Sequence, residues 1–192
     1  MNLNPTDLKL IAGAGVIVLI IIAVVALYLQ KRRRTTAGLR KRFGTEYDRA
    51  VLLQGSEHKA EVKLADRETR VENLKIRDLG AAERERFMAE WTSVQSRFVD
   101  HPKSAVTEAD ELVSSLMQAR GYPVSDFDQR AADISVNHPR LVECYRSAHG
   151  ISVRPDSGQA STEELRTAMI HYRTLFDELI QVQTSSEKRS VA

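Results

Sequence analysis

The sequence predicts an all-α protein: one N-terminal transmembrane helix, then a charged helical stalk, then a small irregular helical bundle. Three observations predict it. Residues 10–29 are apolar without a charged interruption. Apolar residues elsewhere recur at helical rather than alternating spacing. Proline and glycine punctuate the rest at helix-length intervals, and no repeat of about 20–50 residues appears.

Residues 10–29 read LIAGAGVIVLIIIAVVALYL, and thirteen of them are Leu, Ile or Val. Twenty residues at about 1.5 Å rise match the roughly 30 Å hydrocarbon core of a bilayer. A helix apolar on every face has no place in a small soluble domain. The run ends in Gln30-Lys31-Arg32-Arg33-Arg34. That is a stop-transfer pattern, not the small-residue cleavage site of a signal peptide. Tyr28 falls where an interfacial aromatic belongs. Gly13 and Gly15 do not make a GxxxG pair, so dimerisation in the membrane has no motif behind it.

Lys9 and Asp7 precede the run, and Lys31, Arg32, Arg33, Arg34, Arg40, Lys41 and Arg42 follow it. Cations collect on the cytoplasmic side, which places residues 1–9 outside and the C-terminal part inside. These seven cations are the candidate site residues. They set topology, and they can also contact anionic lipid headgroups. Residues 1–42 carry a net +7 and residues 43–192 a net −5. An acidic body argues against a nucleic-acid partner, which would need its basic excess on the folded part. Cys144 is the single cysteine. It can make no internal disulfide and is expected to be a small buried hydrophobe.

Beyond the span, residues 30–44 form a basic juxtamembrane segment. There Thr35-Thr36-Ala37-Gly38 is either a short break or a continuation of the anchor helix. Residues 45–80 are a charged amphipathic helix to about 74 and a connector, with a possible break at Gly55. Leu53, Ala60, Leu64, Val71 and Leu74 make so narrow an apolar face that a stalk or a coiled-coil-like contact of two helices suits it. Asp66 and Arg70 stand at the spacing of a local ion pair.

Residues 81–182 are the bundle. Its first helix, 81–99, carries Phe87, Trp91, Val94 and Phe98 on one face, the expected core, with Gly80 and Glu83 as a weak cap pair. The next, 102–120, starts on Pro102, turns Ala105, Ala109, Leu112, Leu116 and Met117 inward and stops at Gly121. A short helix, 126–135, begins at Ser125 with Asp128 three residues on. Pro139 starts another, with Leu141, Val142, Tyr145 and Ala148 inward and an end near Gly150. Ser161-Thr162-Glu163-Glu164 is a capping box. It opens 162–182, with Leu165, Ala168, Met169, Tyr172, Phe176, Leu179 and Ile180 inward. The polar tail 183–192 is expected to be disordered.

Little chemistry is visible. His58, His101, His138, His149 and His171 include no pair at metal-binding spacing, so no metal site is expected. P-loop, GxSxG and GxGxxG motifs are absent. Cys144 near His138 or His149 in sequence lacks any thiol-enzyme motif. Asp126 and Asp128 sit in a first helical turn, where they complement the dipole. No catalytic residue and no cofactor are expected.

The stretches Arg42-Phe43-Gly44-Thr45-Glu46-Tyr47-Asp48, Arg120-Gly121-Tyr122-Pro123-Val124, Ala132-Asp133-Ile134-Ser135-Val136-Asn137-His138-Pro139 and His171-Tyr172-Arg173-Thr174-Leu175-Phe176-Asp177-Glu178-Leu179 carry a resemblance. Over most of 42–180 the chain resembles a group of uncharacterised bacterial proteins with an N-terminal membrane helix and an all-helical body. The resemblance implies a bacterial inner (cell) membrane setting and brings no activity or site residue.

The expected function is a non-enzymatic, membrane-anchored interaction or scaffold protein at the cytoplasmic face. Its partners would be the lipid bilayer and a protein or a second copy of itself. Two alternatives stay open. One is an anionic-lipid surface sensor working through residues 31–42. The other is a small-ligand binder or enzyme with a pocket near residues 121–138, rimmed by Tyr122, Asp126, Phe127, Asp128, Arg130, Asp133 and His138. Convergence of those seven groups on one concavity would favour the last.

Overall fold

A computed structural model describes residues 5–154 and 160–181. Within the first helix, the side chains of residues 5–18, Ile20, Tyr28 and Arg32 lie outside the description. The extreme N-terminus, the loop core 155–159, the interfacial placing of Tyr28 and the expected disordered tail therefore fall outside the described residues. The chain divides into two units, Met1–Lys41 and Arg42–Ala192. No strand occurs among the described residues.

In the first unit, helix α1 (Pro5–Phe43) runs without interruption. Thr35 to Gly38 are a continuation, and the Thr35 hydroxyl donates to the Lys31 carbonyl at 3.2 Å. Leu19, Ile21, Ile22, Val24, Val25, Leu27 and Leu29 are all exposed, by 46–66%. Among the described residues no helix is long and apolar enough to cross a membrane. The expected span 10–29 lies largely outside the described side chains.

The second unit holds α2 (Thr45–Gln54), α3 (Glu57–Glu72), α4 (Ala81–Arg97), α5 (Pro102–Ala119), α6 (Phe127–Asn137), α7 (Val142–Ser152) and α8 (Thr162–Gln181). The break expected at Gly55 is real. Gly55 adopts φ +70°, a left-handed conformation that costs glycine little, and its N–H caps the Val51 carbonyl. The chain then doubles back, and α2 packs along α3.

Residues 45–80 are thus corrected from a charged stalk to a helical hairpin. The hairpin docks on the bundle, α3 against α6 and α2 against α7. Ala60, Leu64 and Val71 face inward as their spacing predicted, whereas Leu53 is 65% exposed at the hairpin tip. Phe43, Tyr47 and Ala50 complete the hairpin's interior.

The remaining helices close around one apolar core. Phe87, Trp91 and Val94 of α4 meet α5 and α8, with Trp91 stacked on Phe176 at 4.8 Å between ring centroids. Both α5 and α7 pack on α8, which is the central helix. The Ser161 box is formed: its N–H donates to Glu164 at 2.8 Å and its hydroxyl accepts from the Glu164 N–H at 3.2 Å. The Glu83 carboxylate accepts from the Gly80 N–H at 3.0 Å, completing half of a box.

Two helix starts differ from expectation. Asp126, not Ser125, caps α6, accepting from the Gln129 N–H at 2.8 Å. A carboxylate one residue nearer the helix reaches the free amides better. Pro139 does not open α7. It lies in a turn closed by Leu141 N–H to the His138 carbonyl at 3.0 Å, and the helix starts at Val142. Nor does Gly150 end that helix, which runs on to Ser152.

The connector 73–80 is held at the end of α5. Arg77 N–H donates to the Arg120 carbonyl at 2.8 Å. Arg120, 3% exposed, donates to the Leu179 carbonyl at 2.6 Å, one of the orphan acceptors in the last turn of α8. Gly121 makes this approach possible, since a Cβ there would lie 2.4 Å from the Lys75 carbonyl oxygen, and its φ is +97°. Gly121→Ala is therefore expected to lower stability by at least about 2 kcal/mol, from backbone strain and collision together. A thermal melt unchanged within a degree or two would refute this account of the connector.

Candidate functional site

The main apolar core stops short of the hairpin. Phe43, Tyr47, Ala50, Ala60, Leu64 and Val71 are buried but belong to no part of it. A seam of charged side chains runs between α2–α3 and α6–α7.

Its centre is Glu46, 4% exposed on the inner face of α2. Position 46 shares a helical face with Phe43, Tyr47 and Ala50, so the α2 geometry that buries those residues buries the carboxylate too. Arg146 of α7 donates to it twice, from Nε at 3.0 Å and Nη2 at 3.3 Å. Arg67 of α3 adds a third donor at 3.4 Å. One carboxylate therefore links three helices. Burial lowers the Arg67 pKa from the ordinary arginine value, and Glu46 opposes that shift. Outer contacts flank the centre: Arg42 with Glu68 at 2.8 Å, Tyr47 hydroxyl to Glu61 at 3.2 Å, and Arg146 with Asp128 at 3.5 Å.

Arg70, expected to pair along its own helix with Asp66, instead reaches Asp133 of α6 at 3.4 Å. Asp133 is 1% exposed and also accepts from Gln129 at 2.7 Å. Its Oδ2 finds no hydrogen-bond partner among the described residues. Burial accordingly raises the Asp133 pKa, against the pull of Gln129 and Arg70.

Two clefts flank the seam. One, of about 380 Å³, is lined by Lys63, Arg67 and Arg70 of α3 facing Asp126, Asp128 and Gln129. The other, of about 390 Å³, lies between Thr45, Glu46 and Arg49 of α2 and Glu143, Arg146 and Ser147 of α7. Both are open, and charged or polar residues supply nearly all of their lining, with acids and bases opposed.

The seven groups expected to rim a pocket at 121–138 do not converge. Tyr122 is buried, and its hydroxyl accepts from Asn137 at 3.4 Å. Asp126 caps α6, and Asp128 reaches out to Arg146. Phe127 stacks on His149 at 3.6 Å. Arg130 donates to the Ser125 carbonyl at 2.6 Å and the Tyr145 hydroxyl at 3.1 Å. His138 lies 3.5 Å from Glu178. Only Asp126 and Asp128 among them reach the first cleft.

The imagined Cys144 dyads do not form either. His149 faces Asp110 at 3.5 Å and His138 faces Glu178, while Cys144 is half-buried and free. No group of three or more metal-binding side chains gathers among the described residues. Of the seven candidate cations, Lys31, Arg33, Arg34, Arg40, Lys41 and Arg42 are exposed, and the Arg32 side chain lies outside the description.

Sequence reading missed Glu46, Arg67, Arg146 and Arg120. A signal existed for the first: an acid at the second place of the stripe 43, 46, 47, 50. Nothing local marked Arg146, whose partner is 100 residues away. No protein-family model matches the chain, and neither the curated proteins nor the solved structures include a similar one.

Two outcomes follow from these contacts. Glu46→Ala takes the shared carboxylate from two half-buried guanidinium groups, of which Arg146 keeps Asp128, and should cost up to about 3 kcal/mol. Asp133→Asn keeps the Gln129 contact, removes a poorly satisfied buried charge and should cost far less. Chemical denaturation ranks them, and a smaller loss for Glu46→Ala would remove Glu46 from the centre of the seam. Burial also lowers the His138 pKa, with Glu178 opposing. A depressed folded-state value means the native state keeps this imidazole neutral while the unfolded chain takes up a proton below about pH 6.5. Stability should therefore fall between pH 7 and pH 5, by at most about 1.4 kcal/mol per pH unit from this group. His138→Gln should flatten that part of the profile, and an unchanged slope would assign the loss elsewhere.

Proposed function

We propose that the chain is a membrane-anchored, non-enzymatic interaction protein whose helical second unit is held at the cytoplasmic face of a bacterial inner membrane. One observation carries the reading. Seven large aliphatic side chains between residues 19 and 29 are exposed on a continuous helix, and a run of cations follows them directly. So much contiguous apolar surface is unfavourable in water and is matched by the interior of a bilayer. The uncharged stretch 10–29 has the length for one crossing, and the cation asymmetry favours an outside N-terminus.

The interaction role draws support from the second unit. Many of its polar groups cap helices or join them, and the two clefts beside the seam set acids against bases. A tether raises the local concentration of such a body near membrane partners. Alkaline carbonate should leave the full chain in the membrane pellet, and protease added outside should spare a C-terminal tag. Affinity capture from detergent-solubilised membranes should bring down a stoichiometric partner or a second copy. Release by carbonate, or digestion of the tag from outside, would overturn the anchor. Repeated recovery as a lone monomer would overturn the interaction role.

A further inference from the structure

We propose that the seven cations after the apolar run are two devices, and that only Lys31, Arg32, Arg33 and Arg34 form a collar for anionic lipid headgroups. This inference rests on the membrane reading above. The observation behind it is that α1 stays helical from Pro5 to Phe43, through the residues that carry the cations. Successive residues of a helix step about 100° around the axis, so four consecutive cations encircle it once. Lys31, Arg33 and Arg34 are exposed, and residue 32 holds the fourth register position of the ring. A helix lying along a lipid surface instead gathers its cations on one face. The ring suits a helix that leaves the bilayer along its own axis.

Distance then separates the groups. With the apolar run ending at Leu29, residues 31–34 lie about 3–8 Å farther along the helix at 1.5 Å per residue. The headgroup layer on one side of a bilayer is about 5–7 Å thick. The collar therefore lies in that layer. Arg40 and Lys41 lie about 16–18 Å along, and a tilt of about 20° shortens this only to about 15–17 Å. The gap beyond the headgroups is about the Debye length of roughly 8 Å at physiological salt. Arg42 is also committed to Glu68 at 2.8 Å. Arg42 thus serves the body, and Arg40 and Lys41 lie beyond the headgroup layer.

The test uses the full chain reconstituted in phosphatidylcholine vesicles carrying spin-labelled phosphatidylglycerol or spin-labelled phosphatidylcholine. The fraction of motionally restricted label gives the relative association of the two headgroups. The wild-type chain should favour phosphatidylglycerol about fivefold or more at physiological salt, which is what roughly 1 kcal/mol from even one headgroup cation supplies. The preference should fade toward unity near 1 M salt. Combined Lys31→Gln, Arg32→Gln, Arg33→Gln and Arg34→Gln should abolish it. Combined Arg40→Gln, Lys41→Gln and Arg42→Gln should leave it within twofold of wild type. Replacing Arg32, Arg33 and Arg34 by Lys should retain it, because the collar acts through charge.

A preference that survives the first set of substitutions, or falls as far with the second, overturns the division into two devices. Restricted lipid without headgroup preference overturns the collar and leaves the anchor standing. Absence of restricted lipid of either kind, with release by carbonate, overturns the anchor and the collar with it.

Discussion

The pairing of Glu46 with Arg67 and Arg146 is the contact on which the arrangement of the second unit turns. It is the point where α2, α3 and α7 meet. A carboxylate 4% exposed is tolerated there because arginine N–H donors surround it. The arginines in turn lose hydration and depend on it. Each partner makes the burial of the others tolerable, so the seam forms as a unit or not at all. Arg70, Asp133 and Gln129 repeat the device one helix over, less completely.

Two kinds of cohesion therefore coexist. Around α8 the helices are held by interlocking apolar side chains, with Trp91 on Phe176 and Tyr145 set edge-on to Tyr172 at 6.2 Å. Burial raises the pKa of both tyrosines, as befits hydroxyls enclosed by such a core. Between the hairpin and α6–α7 a charged seam runs beside buried apolar residues and is flanked by two clefts. Dispersion holds a close-packed core nearly independently of salt, whereas a charged seam responds to ionic strength and to the loss of a single partner.

The polar inventory also shapes the functional reading. A catalytic site concentrates perturbed groups around a concavity that substrate can enter. Here the perturbed groups are dispersed, and each has a mechanical task. Arg120 ties α5 to the end of α8, and Glu83 is drawn down to about 2 by Arg77 and a backbone amide at a helix start. Glu164 is drawn down to about 2 in the same way by Arg154 and Ser161. Such chemistry holds helices in place.

Much of the helical architecture could be read from residues alone, because helix formation is local. The Ser161 box, the Gly55 stop, Pro102 at its first-turn position and the stripe Phe87, Trp91, Val94 each depend on neighbours within about one or two turns. The starts of α6 and α7 were misplaced by one to three residues, since Ser125 and Asp126 compete for one cap and Pro139 fits a turn as well as a helix. By itself the sequence also determined an uncharged run of bilayer length with a cationic end. Only the tertiary structure decided that residues 45–80 fold back as a hairpin and that Glu46 finds Arg146. The reason is physical. A charged helix with a narrow apolar stripe has the same local pattern whether it stands free or docks, and the choice rests on partners about 100 residues away that no local spacing can announce.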